Sequence, residues 1–123
     1  MRLVDTSIWI DFLRGGDHAL ATALNQSEVY IHPYIIGELA LGNMNNRDEI
    51  VSLLNGLPKA IIASQAEIIA FIDAHSIYGK GIGYVDTAVL LSAILTPGCR
   101  LWTRDKKLER VATTLPLHMT IYG

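Results

Sequence analysis

Only one cysteine, Cys99, occurs in the 123 residues, so no disulfide can close within the chain. That suits a reducing compartment, and the expected location is cytoplasmic. A lone thiol beside a predicted strand reads as a small core residue rather than a nucleophile. Long hydrophobic runs are missing as well. The longest uncharged run, Thr87 to Cys99, contains Ser92, Thr96 and Pro97 and is too short to cross a bilayer. Asp5 and Asp11 stand where a signal peptide would need apolar residues, so neither export nor a membrane partner is expected. Nor is there an excess of positive charge: the net charge of −2 excludes a generally basic nucleic-acid binder. His18, His32, His75 and His118 have no paired spacing, which argues against zinc and leaves them to the surface or to local hydrogen bonds. A glycine-rich phosphate loop is absent too. Gly79-Lys80-Gly81-Ile82-Gly83 has neither the Walker nor the dinucleotide spacing and reads as a hinge.

Half of the residues are hydrophobic, and the length supports a proper core, so residues 1–123 are expected to form a single domain. Leu3-Val4 is a buried-strand pattern that runs through Asp5-Thr6-Ser7 into the helical pattern of Ile8 to Leu13. Gly15-Gly16 breaks that helix, and Asp17 is placed to cap another reaching Gln26. Glu28 to Ile31 predicts a short strand. Pro33 opens a helix to Leu41, ended by Gly42-Asn43. Arg47 to Leu54 predicts a further helix, and Ala60 to Ala63 a short strand. Ser64-Gln65-Ala66-Glu67 has capping-box spacing and predicts a helix to about Tyr78. Val85 to Leu95 is a strongly apolar helix stopped by Pro97-Gly98. Arg100 to Thr103 follows as a strand, Asp105 to Ala112 as a short basic helix, and His118 to Tyr122 as a final strand able to pair either way. Strands alternating with helices predict an α/β fold with one mostly parallel sheet covered on both faces.

Four acids stand out from the rest. Asp5 and Asp105 each follow a predicted strand; Glu38 and Asp86 lie among apolar residues on predicted helices. In a parallel sheet the strands end at one edge, so Asp5 and Asp105 lie there directly. The Glu38 helix starts at that edge. The Val85 helix must carry the chain back to the opposite edge, so Asp86, near its start, is also at the first. Four carboxylates gathered this way repel one another unless a cation sits among them. Mg²⁺ or Mn²⁺ suits a carboxylate-and-water site and can activate water against a phosphodiester. Thr6, Ser7 and Thr103 stand beside the acids, where hydroxyls can orient water or phosphate oxygens.

Each acid also has a purely structural reading. Asp5 can cap its helix, Asp86 and Asp105 can favour helix N-termini, and Glu38 can pair with an arginine such as Arg14. Taken together those readings are less economical, because four unrelated structural acids need not share an edge. Most of Trp9, Phe12, Tyr30, Tyr34 and Tyr84 are assigned to core or dimer packing rather than to base stacking. A receiver-type regulator would need an Asp after the third strand, where Ala63-Ser64 stands, and a second acid where Thr6 stands. A haloacid-type phosphatase would need its second Asp at Ser7.

The segments Val4–Leu13, Ile36-Gly37-Glu38-Leu39, Gly83–Ala93 and Leu101–Leu108, in that order, resemble the PIN-domain ribonucleases and, among them, the VapC toxins of prokaryotic toxin–antitoxin pairs. The ordered set spans essentially the whole chain. The resemblance implies a three-layer α/β/α sandwich and a homodimer. Asp5, Glu38, Asp86 and Asp105 match the family's acidic cluster for Mg²⁺ or Mn²⁺, and Thr6 and Thr103 match its hydroxyl positions. It also implies a metal-dependent endoribonuclease acting on tRNA or rRNA, held inactive by a cognate antitoxin that inserts a segment over the site. Because the chain is acidic overall, contact with RNA is expected to rely on local groups such as Arg14, Arg104, Lys106 and Lys107. The alternative is a PIN-like module that binds RNA or protein without cutting. The intact acids argue against it, since a binder has no use for concentrated negative charge.

Overall fold

Leu3 and Val4 are both fully buried, although successive strand residues point to opposite faces of a sheet. The strand they form, β1 (Arg2–Val4), is therefore covered on both sides. A computed structural model describes residues 1–16, 18–115 and 121–122. After β1 come α1 (Thr6–Leu13), α2 (His18–Asn25), β2 (Val29–Tyr30), α3 (Pro33–Ala40) and α4 (Arg47–Asn55). Then follow α5 (Gln65–Ala74), α6 (Tyr84–Leu95), β3 (Arg100–Trp102), α7 (Lys106–Thr114) and β4 (Ile121–Tyr122).

The strands form one parallel sheet in the order β2-β1-β3-β4. Leu3 is in register with Tyr30 on one side and Leu101 on the other, and Trp102 with Tyr122. The last strand, open to either direction in the sequence, is parallel; its expected start at His118 lies outside the described residues, as does the expected cap Asp17. Leu101 and Trp102 are buried like Leu3 and Val4, so helices cover both faces in the expected three-layer α/β/α sandwich.

Local chemistry explains most element ends. Ser64 and Glu67 close the capping box that starts α5. The helix stops at Ala74 rather than near Tyr78, because Ser76 turns left-handed at φ 52°. The strand expected at Ala60–Ala63 does not form. Ile31 makes a single parallel bridge to Lys59, and Pro33 then turns the chain into α3, so nothing remains for residues 60–63 to pair with. The Ile61 amide instead donates to the Thr96 hydroxyl at 2.9 Å.

Helix α6 runs through the middle of the core. Every residue from Thr87 to Ala93 is buried, which fits a helix apolar on all sides. Helix α7 is the opposite case: Leu108, Val111 and Ala112 face inward, and Lys106, Lys107 and Arg110 face out. Cys99 is half-buried, and burial pushes its thiol pKa up, as expected of an unreactive packing residue. Among the described residues no helix is long and apolar enough to cross a membrane.

Leu90, fully buried at the centre of α6, tests this assignment of the core. Leu90→Ala is expected to cost about 2–5 kcal/mol of unfolding free energy, measured by urea denaturation, because a cavity is left behind. A cost below about 1 kcal/mol would mean that α6 is not the central element.

Candidate active site

Strand order decides where a site can open. From β1 the chain goes to β2 on one side, and from β2 it returns to β3 on the other side of β1. The connections diverge between β1 and β3, and at the carboxyl ends of those strands they leave a crevice. Asp5 follows β1 and Asp105 lies just past β3, so both stand at its mouth. The Asp5 amide donates to the Trp102 carbonyl at 3.0 Å and keeps the two strand ends together.

Asp5 is 4% exposed and held by four donors. Its Oδ1 accepts from the Ser7 amide at 3.0 Å, the Ile8 amide at 3.4 Å and the Ser7 hydroxyl. Its Oδ2 accepts from the Thr103 hydroxyl. Burial raises its pKa, against the lowering effect of the hydrogen bonds from Ser7, Thr103 and Ile8. Thr103, 1% exposed, also accepts the Asp105 amide at 3.0 Å, so one hydroxyl joins the two strand-end acids. Asp105 in turn caps α7 by accepting from the Lys107 and Leu108 amides at 2.9 and 3.2 Å. For Asp5 and Asp105, capping a helix and lining the crevice are thus compatible roles.

Glu38 is exposed on α3 and accepts from the Thr6 hydroxyl at 2.7 Å, not from Arg14. Asp86 lies on the first turn of α6. Among the described residues nothing hydrogen-bonds its carboxylate. Its pKa is pushed up to about 6, first by burial and then by the charges of Asp105, Asp5 and Glu38. All three of the other acids therefore act on Asp86, which is the convergence expected from topology.

A half-buried carboxylate with no protein donor, in the field of three others, suits a hard divalent cation. Among the described residues no three His, Cys, Asp or Glu side chains form a ready-made cage. Asp5, Glu38 and Asp105 each turn an oxygen onto a protein donor. Mg²⁺ keeps several waters and needs only one or two direct carboxylates, so this open donor set fits it.

The comparisons with known proteins follow the same lines. Residues 2–113 match the PIN-domain family. The chain is a PIN domain. Ribonuclease VapC32 from two strains of Mycobacterium tuberculosis, CDC 1551 / Oshkosh and H37Rv, is 41% identical over 109 residues, covering 89% of this chain and 88% of the relative. This places the PIN domain with the VapC group. The crystal structure of FitAcB from Neisseria gonorrhoeae superposes with a TM-score of 0.68 at 20% identity, over 100% of this chain and 97% of that one. That of PAE2754 from Pyrobaculum aerophilum gives 0.59 at 16% identity, over 98% and 81%. At those identities the two structures speak for the fold alone.

The basic residues of this PIN domain are spread more widely than its acids. Arg104 is ion-paired with Asp11 of α1, an acid that the sequence did not single out. Arg14 lines a cavity of about 450 Å³ that it shares with Glu38, Asn43 and Asn45. Lys106 is exposed at the start of α7, and Lys107 lies over Gly81. His32, expected at the surface or in a local hydrogen bond, is 1% exposed. It caps α3 by accepting the Tyr34 amide on Nδ1 at 3.0 Å, and burial lowers its pKa, so the imidazole is kept neutral. A histidine just ahead of Pro33 was the available signal, but histidine is not among the preferred caps.

The Asp86 shift carries a consequence for stability. Its carboxyl holds a proton up to about pH 6 when folded but only to the ordinary 3.8 when unfolded. Stability therefore falls as pH rises between those values, and the cost is complete above about 6. In EDTA, Asp86→Asn is expected to raise the melting temperature above pH 6, with the gain shrinking as pH is lowered towards 3.8. A variant that melts below the parent at every pH would contradict this crowding of acids.

Proposed function

We propose that this PIN domain is a metal-dependent endoribonuclease, the toxin of a VapBC-type pair, hydrolysing RNA phosphodiester bonds until a cognate antitoxin covers its site. The observation that carries the reading is the Asp86 carboxylate, half-buried, without a donor, and crowded by Asp5, Glu38 and Asp105. The 41% identity to a protein named Ribonuclease VapC32 supports it. Asp86 is the acid best placed to hold Mg²⁺ or Mn²⁺, with Asp5, Glu38 and Asp105 completing the negative field around it. When bound, the ion supplies Lewis-acid activation of water and stabilisation of the charge on the leaving oxygen.

The protein's own part is to hold that field in place. Thr103 and Ser7 fix Asp5 by both oxygens, and Thr103 ties Asp105 to it. Thr6 orients Glu38 from the first turn of α1. Through Thr6 and Thr103, the start of α1 and the turn after β3 set the spacing of three acids while Asp86 stays open. The resemblance to VapC toxins favours tRNA or rRNA as substrate, a homodimer as the active form, and a cytoplasmic site of action.

Cleavage of total cellular RNA by the purified chain, freed of antitoxin, tests the reading. Discrete fragments are expected with Mg²⁺ or Mn²⁺ and none with EDTA. Asp5→Asn and Asp86→Asn are each expected to slow cleavage by at least about 10²-fold. Full cleavage by either variant would remove the acids from the chemistry, and full cleavage in EDTA would remove the metal.

A further inference from the structure

A second cavity, of about 360 Å³, opens between the end of α5 and the outer face of α7. His75 and Ser76 line it from the turn after α5, Lys80 from the glycine loop, and Lys107 and Arg110 from α7. Among the described residues no carboxylate lines it. Ion pairs among the described residues join Arg2 to Glu28, Arg47 to Asp48 and Arg104 to Asp11, so Lys80, Lys107 and Arg110 are left without an acidic partner. Three cations around one hollow, in a chain of net charge −2, repel one another at a cost that an entering anion offsets.

The hollow and the acid crevice share two chain segments, α7 and the glycine loop ahead of α6. Lys107 follows Asp105 by two residues, and its amide donates to that carboxylate at 2.9 Å. Its side chain then lies across Gly81: a Cβ there would stand 3.6 Å from Lys107 Cδ and 3.8 Å from Nζ. Gly81 has φ +84°, a conformation that L side chains rarely adopt, so the loop backbone favours glycine there. The same loop leads into α6, which carries Asp86 on its first turn.

The geometry points to this hollow as a subsite for an RNA backbone phosphate other than the one being cut, held by Lys80, Lys107 and Arg110. The assignment rests on the ribonuclease reading. An RNA strand laid over the acids carries a phosphate at every nucleotide, and four carboxylates repel it. Cations beside the crevice supply the attraction that the net charge of the chain withholds. Phosphate contacts position a strand without reading its sequence, so the subsite sets register and affinity rather than base preference.

Anisotropy of a labelled single-stranded RNA, long enough to span crevice and hollow, tests the subsite in EDTA with the full chain carrying Asp86→Asn. Adding Lys80→Gln and Arg110→Gln is expected to weaken binding about tenfold at moderate salt and to flatten the slope of log affinity against log salt by about 1.5. Lys80→Arg is expected to keep both. Arg47→Gln with Lys59→Gln removes the same charge elsewhere on the surface, and thermal melts confirm that each variant folds. An unchanged slope in the Lys80/Arg110 variant, while the unsubstituted chain cleaves RNA with Mg²⁺, overturns the subsite and leaves the nuclease reading standing. Equal losses in the Arg47/Lys59 control overturn it as a general charge effect. Loss of antitoxin binding with RNA affinity retained overturns it in favour of an acidic protein segment. A parent chain that neither binds nor cleaves RNA overturns both readings.

Discussion

A buried carboxylate between two parallel strands sets the terms for the whole site. Asp5 cannot leave its position at the end of β1 without stranding the Thr103 hydroxyl and two amides of α1. Because Thr103 also receives the Asp105 amide, the same bonds fix where α7 begins. The sheet order places this group where the chain connections diverge, so it is wired into the core on one side and faces the crevice on the other. The remaining acids are arranged about a fixed point.

Asp86 shows what that arrangement costs. Helix α6 could have begun with a residue whose side chain caps it, yet Gly83 precedes it and no side-chain cap is made. The Asp86 carboxylate is half-buried against like charges, a local conflict of the kind that persists where function demands it. Stability is recovered nearby. The His32 cap on α3 and the uninterrupted burial of Thr87 to Ala93 hold the two helices that carry Glu38 and Asp86.

Charge is separated rather than balanced within the site. The acids collect at the carboxyl ends of β1 and β3, while Lys80, Lys107 and Arg110 collect around the next hollow along α7. Arg104, adjacent to Asp105 in the chain, is ion-paired with Asp11. A guanidinium among the four acids would have relieved their repulsion.

The four acids, the parallel sheet and most of the helices were legible in the sequence. Strand-to-acid-to-helix order at Asp5 and Asp105 dictates position in any parallel sheet, and the capping box, Pro33 and Pro97-Gly98 punctuate the helices by local chemistry. Local rules failed where a long-range partner was decisive. Ala60–Ala63 has strand composition but no neighbour to pair with, and α5 stops early at the left-handed Ser76. Which donor each acid would face was not legible either. Thr6 took Glu38 in place of Arg14, and Asp11 took Arg104, because those choices depend on how α1 packs against α3 and the end of β3. The sequence by itself determined which acids are brought together and at which edge they meet, since backbone direction and residue order suffice for that. Only the tertiary structure decided their pairing, the exposure of Asp86 to its three neighbours, and the gathering of Lys80 with Lys107 and Arg110, because each depends on distances between elements remote in the chain.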